Sequence, residues 1–230
     1  MYDTQTSKKQ MHQPHFPGSY FISLEGIEGA GKSMQIKNVK EYLESKNFRV
    51  ILLREPGGTS FGEKLRKTVL DTKTSLHPLS ELYLFAASRA QLLHEVTIQE
   101  LATPGTVVLY DRYIDSTLAY QGHAAGLGFE HILDIHSQFP LNIMPHLTIL
   151  LEIDLATSHK RQQARGNARD YFESKDDHFY QKLIDGFHLA AEAFPLRIKK
   201  VDGKLPAPNV FHDIQTHIDQ MIFSHSSKSV

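Results

Sequence analysis

The chain has 230 residues, with 25 Lys+Arg against 26 Asp+Glu for a formal net charge of −1, and 40% hydrophobic and 22% charged residues. That length suits a single domain with a real core, the composition excludes a wholly disordered chain, and the balanced charge argues against coating nucleic acid through a general positive field. Cysteine is absent, which removes disulfides, thiolate nucleophiles and cysteine–zinc sites and fits a reducing cytoplasm, and no apolar run approaches the ~18 residues of a transmembrane helix.

Residues 1–18 are polar, lack the apolar centre of a signal peptide and read as a flexible extension, with Met11 an alternative start; 225–230 read as a frayed tail. Between them strands and helices alternate. Tyr20–Glu25 is a short apolar run ending at Gly26, and Ser33–Ser45 has helical spacing through Ile36, Val39 and Leu43. Arg49–Arg54 is a second strand, closed by Pro56-Gly57-Gly58. Leu79–Leu101 reads as a long helix, opened by Pro78 and stopped by Pro104-Gly105. Thr106–Tyr110 and Leu147–Ile153 are further buried strands, Leu196–Val201 is a weaker fifth, and Asp176–Glu192 and Val210–Phe223 are helical. Apolar strands alternating with helices predict an α/β class with a parallel sheet covered on both faces.

Gly26-Ile27-Glu28-Gly29-Ala30-Gly31-Lys32-Ser33 satisfies G-x-x-x-x-G-K-[ST], and it lies between a predicted strand and a predicted helix. Glycines let such a loop bring backbone N–H groups close to phosphate, helped by the positive end of the following helix. Lys32 would reach the β- and γ-phosphates of ATP and the Ser33 hydroxyl would sit on Mg²⁺. Asp111 closes a buried strand at its carboxyl end; it either supports Mg²⁺ or fixes Arg112 or Lys32 by an ion pair. A switch GTPase is disfavoured because no Asn-Lys-x-Asp segment is present, and a helicase or motor needs a longer chain.

From about residue 20 to 220 the sequence resembles the thymidylate kinase family. The resemblance rests on Leu24–Ser33, on Arg54-Glu55-Pro56-Gly57-Gly58-Thr59, on Phe85-Ala86-Ala87-Ser88-Arg89-Ala90-Gln91 and on the run from Asp111-Arg112-Tyr113 through Tyr120-Gln121-Gly122, in family order. It implies a three-layer α/β/α P-loop fold with a five-stranded parallel sheet, one kinase domain over 19–224 and a small lid insertion at about 158–175. It also implies transfer of the ATP γ-phosphoryl group to dTMP, a homodimer packed through helices that include Leu79–Leu101, and no membrane or nucleic-acid partner. Phe85 would stack on thymine and Arg89, four residues on and so on the same helix face, would meet the base edge; by themselves they also read as a core ring and a solvated arginine. Arg112 would grip the acceptor phosphate or serve a structural ion pair. Glu28 would contact the sugar 3′-hydroxyl side, Tyr120 would lie against the sugar, Thr117 and Gln121 would line the base pocket, and Arg54 would reach the acceptor phosphate.

After Leu147–Ile153 comes a basic stretch with Lys160, Arg161, Arg165 and Arg169. The variable phosphate-loop positions hold no arginine, so the lid would supply the charge, with Arg165 leading and Arg161 beside it or on adenine; a merely solvated helix is the competing reading. Tyr171 stands where the family often has arginine. The fourteen histidines are scattered without a His-Glu-x-x-His pattern and point to no metal site. Two rivals remain: another nucleoside or nucleotide kinase of the same fold, and a non-catalytic nucleotide-binding module, the latter weakened by Lys32, Ser33, Asp111 and Arg112 occurring together.

Overall fold

The computed structural model describes residues 11, 16–72, 74–166, 171–172 and 175–226. Most of the predicted extension and the last four residues lie outside these, as do Arg169 and parts of the predicted lid. Strands β1 (Tyr20–Glu25), β2 (Arg49–Arg54), β3 (Thr106–Asp111), β4 (Leu147–Glu152) and β5 (Ile198–Asp202) form one parallel sheet in the order β2-β3-β1-β4-β5. Every β1 residue is buried, the consequence of a central strand with helices on both faces. The edge strands β2 and β5 are less buried than β1, with no fully buried residue in β2, and carry Arg49, Arg54, Lys199 and Lys200, which keeps an unpaired strand edge soluble. That edge position explains why the fifth strand is the weakest signal in the sequence.

The helices are α1 (Lys32–Ser45), α2 (Ser60–Leu70), α3 (Pro78–Leu92), α4 (Ile98–Leu101), α5 (Ile114–Thr117), α6 (Phe129–Ile135), α7 (Leu155–Arg165), α8 (Asp177–Ala193) and α9 (Ala207–Ser226). Side-chain caps start several of them: Thr59 accepts from the Gly62 amide, Asp154 from Thr157 and Asp176 from Phe179. Helix α1 has no side-chain cap and begins from Gly31 in the left-handed region, so its first amides stay available to an anion. The predicted helix Leu79–Leu101 is one run, α3 to α4, joined by a π segment Leu93–Thr97. A second π segment, Leu118–Ala124, continues α5; its extra residue per turn is invisible to a 3.6-residue reading.

Two contacts set where that second π segment lies. Gly186 of α8 presses on it so closely that an added Cβ would sit 2.9 Å from Ala119 Cα. Asp115, at its root, is 1% exposed and takes a two-pronged bond from Arg197 (Nη1–Oδ2 and Nη2–Oδ1, both 2.6 Å), with Thr148 Oγ1 donating at 3.1 Å. Removing one partner of a buried ion pair leaves an uncompensated charge. Arg197→Met is therefore expected to destabilise the fold by about 3–5 kcal/mol, read as a lower midpoint in chemical denaturation; an unchanged midpoint would show the pair to be energetically idle.

Candidate functional site

The loop Gly26–Gly31 turns at the carboxyl end of β1 using glycines with φ of 137°, 81° and 97° at 26, 29 and 31. At Gly26 the requirement is absolute, because an added Cβ would lie 2.6 Å from the Leu151 carbonyl oxygen. Lys32 folds back into the loop, donating through Nζ to the carbonyls of Gly26 (2.8 Å) and Ile27 (3.3 Å). Burial, with Arg112 adding to it, lowers its pKa to about 8. Ser33 is exposed in the first turn of α1.

The register Leu24↔Asp111 brings the start of the Asp-Arg-Tyr turn beside this loop. Arg112 has φ of 69°, its amide donates to the Leu24 carbonyl at 3.0 Å, and its Nη2 donates to Glu28 Oε1 at 2.7 Å. The Tyr120 hydroxyl donates to the same oxygen at 2.7 Å, while Glu28 Oε2 is buried without a partner. Burial alone would raise the Glu28 pKa, but Arg112, Lys32 and Tyr120 outweigh it and hold the group ionised. The Arg112 guanidinium lies 5.3 Å from the Tyr120 ring centre, and Nη1 donates to Ser116 Oγ at 3.1 Å. Ser116 in turn donates to Glu25 Oε2, and the Tyr113 amide to Glu25 Oε1, both at 2.6 Å.

Next to these groups opens a cavity with about 630 Å³ of empty space, the open solvent at its mouth included. Glu28, Arg112, Tyr120, Thr117, Gln121, Phe85 and Arg89 all line it, so seven of the eight residues expected at the acceptor converge. Arg54 is not among the lining residues; it is largely exposed and its Nη2 donates to Glu63 Oε2 at 3.0 Å. Arg66 of α2 lines the cavity instead, with Nη1 on the Pro56 carbonyl at 3.1 Å. Sequence reading passed over Arg66 because it did not define α2; the Thr59 cap after Pro-Gly-Gly was the usable signal. Glu55 and Phe172 are further lining residues it did not assign. The Phe172 ring stands 6.0 Å from Phe85 and 5.4 Å from Tyr120.

Arg89 is neither on a solvated face nor loosely held: it is 2% exposed. Its Nε and Nη2 donate to Glu55 Oε2, Nη2 also to Thr117 Oγ1 (3.0 Å), and Nη1 to His136 Nε2 (2.7 Å). An arginine has five N–H groups, so one on Nη1 is left over by these bonds. His136 must be the neutral tautomer that donates from Nδ1 to the Ile132 carbonyl, and burial together with Arg89 pushes its pKa down to about 3. It is a satisfied core histidine.

On the donor side α7 packs against the loop. Ser158 Oγ donates to the Glu28 carbonyl at 2.7 Å and Arg161 Nη1 to the Gly29 carbonyl at 3.1 Å. Arg165 lies exposed at the helix end. Asp111 Oδ1 is buried and lacks a partner. This orphaned carboxylate oxygen and the Ser33 hydroxyl are hard oxygen donors that fit Mg²⁺, an ion that keeps waters and phosphate oxygens as most of its ligands. Among the described residues no three His, Asp or Glu side chains gather into a separate metal cluster.

A phosphate loop at the end of the central strand, with a base-sized cavity beside it, defines a P-loop nucleotide-binding protein equipped for a second ligand. The family model described as thymidylate kinase matches residues 24–214, and the chain belongs to that family. The thymidylate kinase of Thermoanaerobacter sp. (strain X514) is 39% identical over 194 residues, covering 84% of this chain and 94% of that protein. That of Anoxybacillus flavithermus is 38% identical over 204 residues, covering 88% and 97%. The crystal structure of thymidylate kinase from Ehrlichia chaffeensis superposes with a TM-score of 0.70 at 29% identity, over 88% of this chain and 99% of that one.

Glu25 carries a pH signature. Burial first, and then the Asp115 carboxylate, push its pKa from 4.5 to about 8. Below the lower value both folded and unfolded chains hold the proton; above it only the unfolded chain ionises freely, so stability falls as pH rises from 4.5 toward 8. Glu25→Gln should flatten this slope and gain melting temperature relative to the parent at pH 8.5 compared with pH 5.5. Parallel melting profiles would remove Glu25 as their source.

Proposed function

We propose that the chain is a dTMP kinase, transferring the γ-phosphoryl group of ATP to dTMP to give dTDP and ADP in DNA precursor synthesis. The observation that carries this reading is the convergence of Glu28, Phe85, Arg89, Arg112, Thr117, Tyr120 and Gln121 around one cavity that adjoins the phosphate loop. In this reading Phe85 stacks on the base, Arg89 offers its remaining N–H to a base carbonyl, and Thr117 and Gln121 complete the edge. Tyr120 lies against the sugar, where its ring disfavours a 2′-hydroxyl, and the partnerless Glu28 oxygen accepts from the 3′-hydroxyl. Arg112 grips the acceptor phosphate with its planar fork. Arg54 would act at the acceptor phosphate only after leaving Glu63.

An acceptor phosphate oxygen attacks the γ-phosphorus as the bond to the bridging β-oxygen breaks. That oxygen needs no general base, so catalysis is placement and charge neutralisation. The loop amides, with Gly26, Ile27, Gly29, Ala30 and Gly31 shaping the turn, hold the β- and γ-phosphates. Lys32 leaves the loop carbonyls for phosphate oxygens. Mg²⁺, held by Ser33 and Asp111, supplies further neutralising charge when bound. Arg165 meets the transferring group and Arg161 stays by the loop or adenine. The lid at about 158–175, a homodimer through α3, on which Tyr83 is 54% exposed, and a cytoplasmic setting without nucleic-acid partners complete the reading. Among the described residues no helix is long and apolar enough to cross a membrane.

Coupled ADP release with ATP, Mg²⁺ and dTMP, dUMP, dCMP, dGMP or thymidine should rank dTMP first. Lys32→Ala should lose about 10²-fold or more of kcat. Turnover led by another acceptor would favour a sister kinase; ATP binding with no turnover would favour a binding module. Arg165→Ala should lower kcat by about 10²-fold or more with little change in dTMP affinity; a change confined to the KM for ATP would move the catalytic role elsewhere.

A further inference from the structure

Gln121 lines the cavity, and what decides which end of its amide faces inward is Glu81, a residue behind the wall. Glu81 lies on α3, one turn before Phe85, is 6% exposed and is not itself a lining residue. Its Oε2 accepts from Gln121 Nε2 at 3.1 Å and its Oε1 accepts from the Tyr171 hydroxyl at 2.7 Å. A carboxylate can only accept. The amide nitrogen of Gln121 must therefore turn toward Glu81, which leaves the amide oxygen as the group offered to a ligand.

The other side of Glu81 is fixed in the same way. The Tyr171 oxygen accepts from the Leu76 amide and from Lys175 Nζ, each at 3.3 Å. With its lone pairs so used, the hydroxyl proton is directed at Glu81. Lys175, Tyr171, Glu81 and Gln121 form a chain in which each bond has one donor and one acceptor, and it ends in the Gln121 amide oxygen at the cavity wall.

We infer that Glu81 is a positioning residue that sets the hydrogen-bond polarity of the base-binding wall through Gln121, selecting a pyrimidine with an N3–H and a 4-oxo group over one with a bare N3 and a 4-amino group. This rests on the reading that the acceptor base occupies the cavity. The acceptor from Gln121 meets N3–H and the spare N–H of Arg89 meets O4. Cytosine presents the opposite pattern at both atoms, and leaving buried polar groups unpaired is a strong basis for rejection.

Glu81→Gln tests the relay. Tyr171 keeps donating, so the new amide turns its oxygen to Tyr171 and its nitrogen to Gln121. Gln121 must then flip and offer N–H to the ligand. The ratio of kcat/KM for dTMP over dCMP is expected to fall by about tenfold or more. A merely structural role for Glu81 would lower both acceptors together and leave the ratio unchanged, which would overturn the inference. Glu81→Leu is the second variant, in case the first does not fold; it frees the amide without reversing it, so the ratio should fall by less, and an unmoved ratio there is equally fatal. Discrimination in binding alone can be read from the melting-temperature shifts that dTMP and dCMP induce. A parent chain that neither turns over nor binds dTMP would overturn the acceptor assignment itself; dTMP use with an unmoved ratio would overturn only the role of Glu81.

Discussion

The parallel pairing of β1 with β3 is the constraint on which the site depends. Its rungs run from Tyr20↔Val107 to Leu24↔Asp111, and the Arg112 amide adds one more bond to the Leu24 carbonyl. The ladder makes two chain segments, paired 87 positions apart in the sequence, end side by side. One turns into the glycine loop and the other into the Asp-Arg-Tyr turn. Because parallel strands point the same way, both turns face the same edge of the sheet, where α1 also presents its uncapped amides. The Glu28–Arg112 bond then ties the turns together across that edge.

Charge is handled differently in the two halves of the site. At the phosphate end cations are concentrated: Lys32 and Arg112 share a small volume with Glu28, and burial with Arg112 lowers the lysine's pKa. Such an arrangement is costly in the absence of an anion and is relieved by phosphate, so binding energy and charge neutralisation have one source. At the far side of the cavity most polar atoms are already paired, Glu55 Oε1 being an exception. Arg89 is held by Glu55, Thr117 and His136, and Gln121 by Glu81. Few groups remain to be offered, and each has a defined polarity, which suits discrimination more than tight binding.

Local structure was legible wherever burial wrote itself into residue type. The central strands β1, β3 and β4 are mostly apolar runs, and their observed limits differ from the reading by a residue at most. Helix α2 carries a helical signal in Phe61, Leu65 and Val69, four residues apart, and in its Thr59 cap, but lies in a stretch the reading leaves unassigned. Helix α7, whose basic residues mark it as the start of the expected lid, packs on the phosphate loop through Ser158 and Arg161. Neither π segment could be read, since one extra residue in a turn leaves no pattern over so short a stretch.

By itself the sequence determined the phosphate loop and the parallel α/β class, and its resemblance to the thymidylate kinase family pointed to most of the residues that line the cavity. Those features depend on local chemistry: glycines where φ is positive, apolar runs where strands are buried, and motifs whose residue types suit phosphate and a base. Only the tertiary structure decided how those residues are used. It turned Arg54 outward to Glu63 and brought Arg66 in. It buried Arg89 against Glu55 and His136 and set Glu81 behind Gln121. Hydrogen bonds between residues 40 or 90 positions apart decide which donor and which acceptor are left for a ligand, and such pairings exist only once the helices have packed.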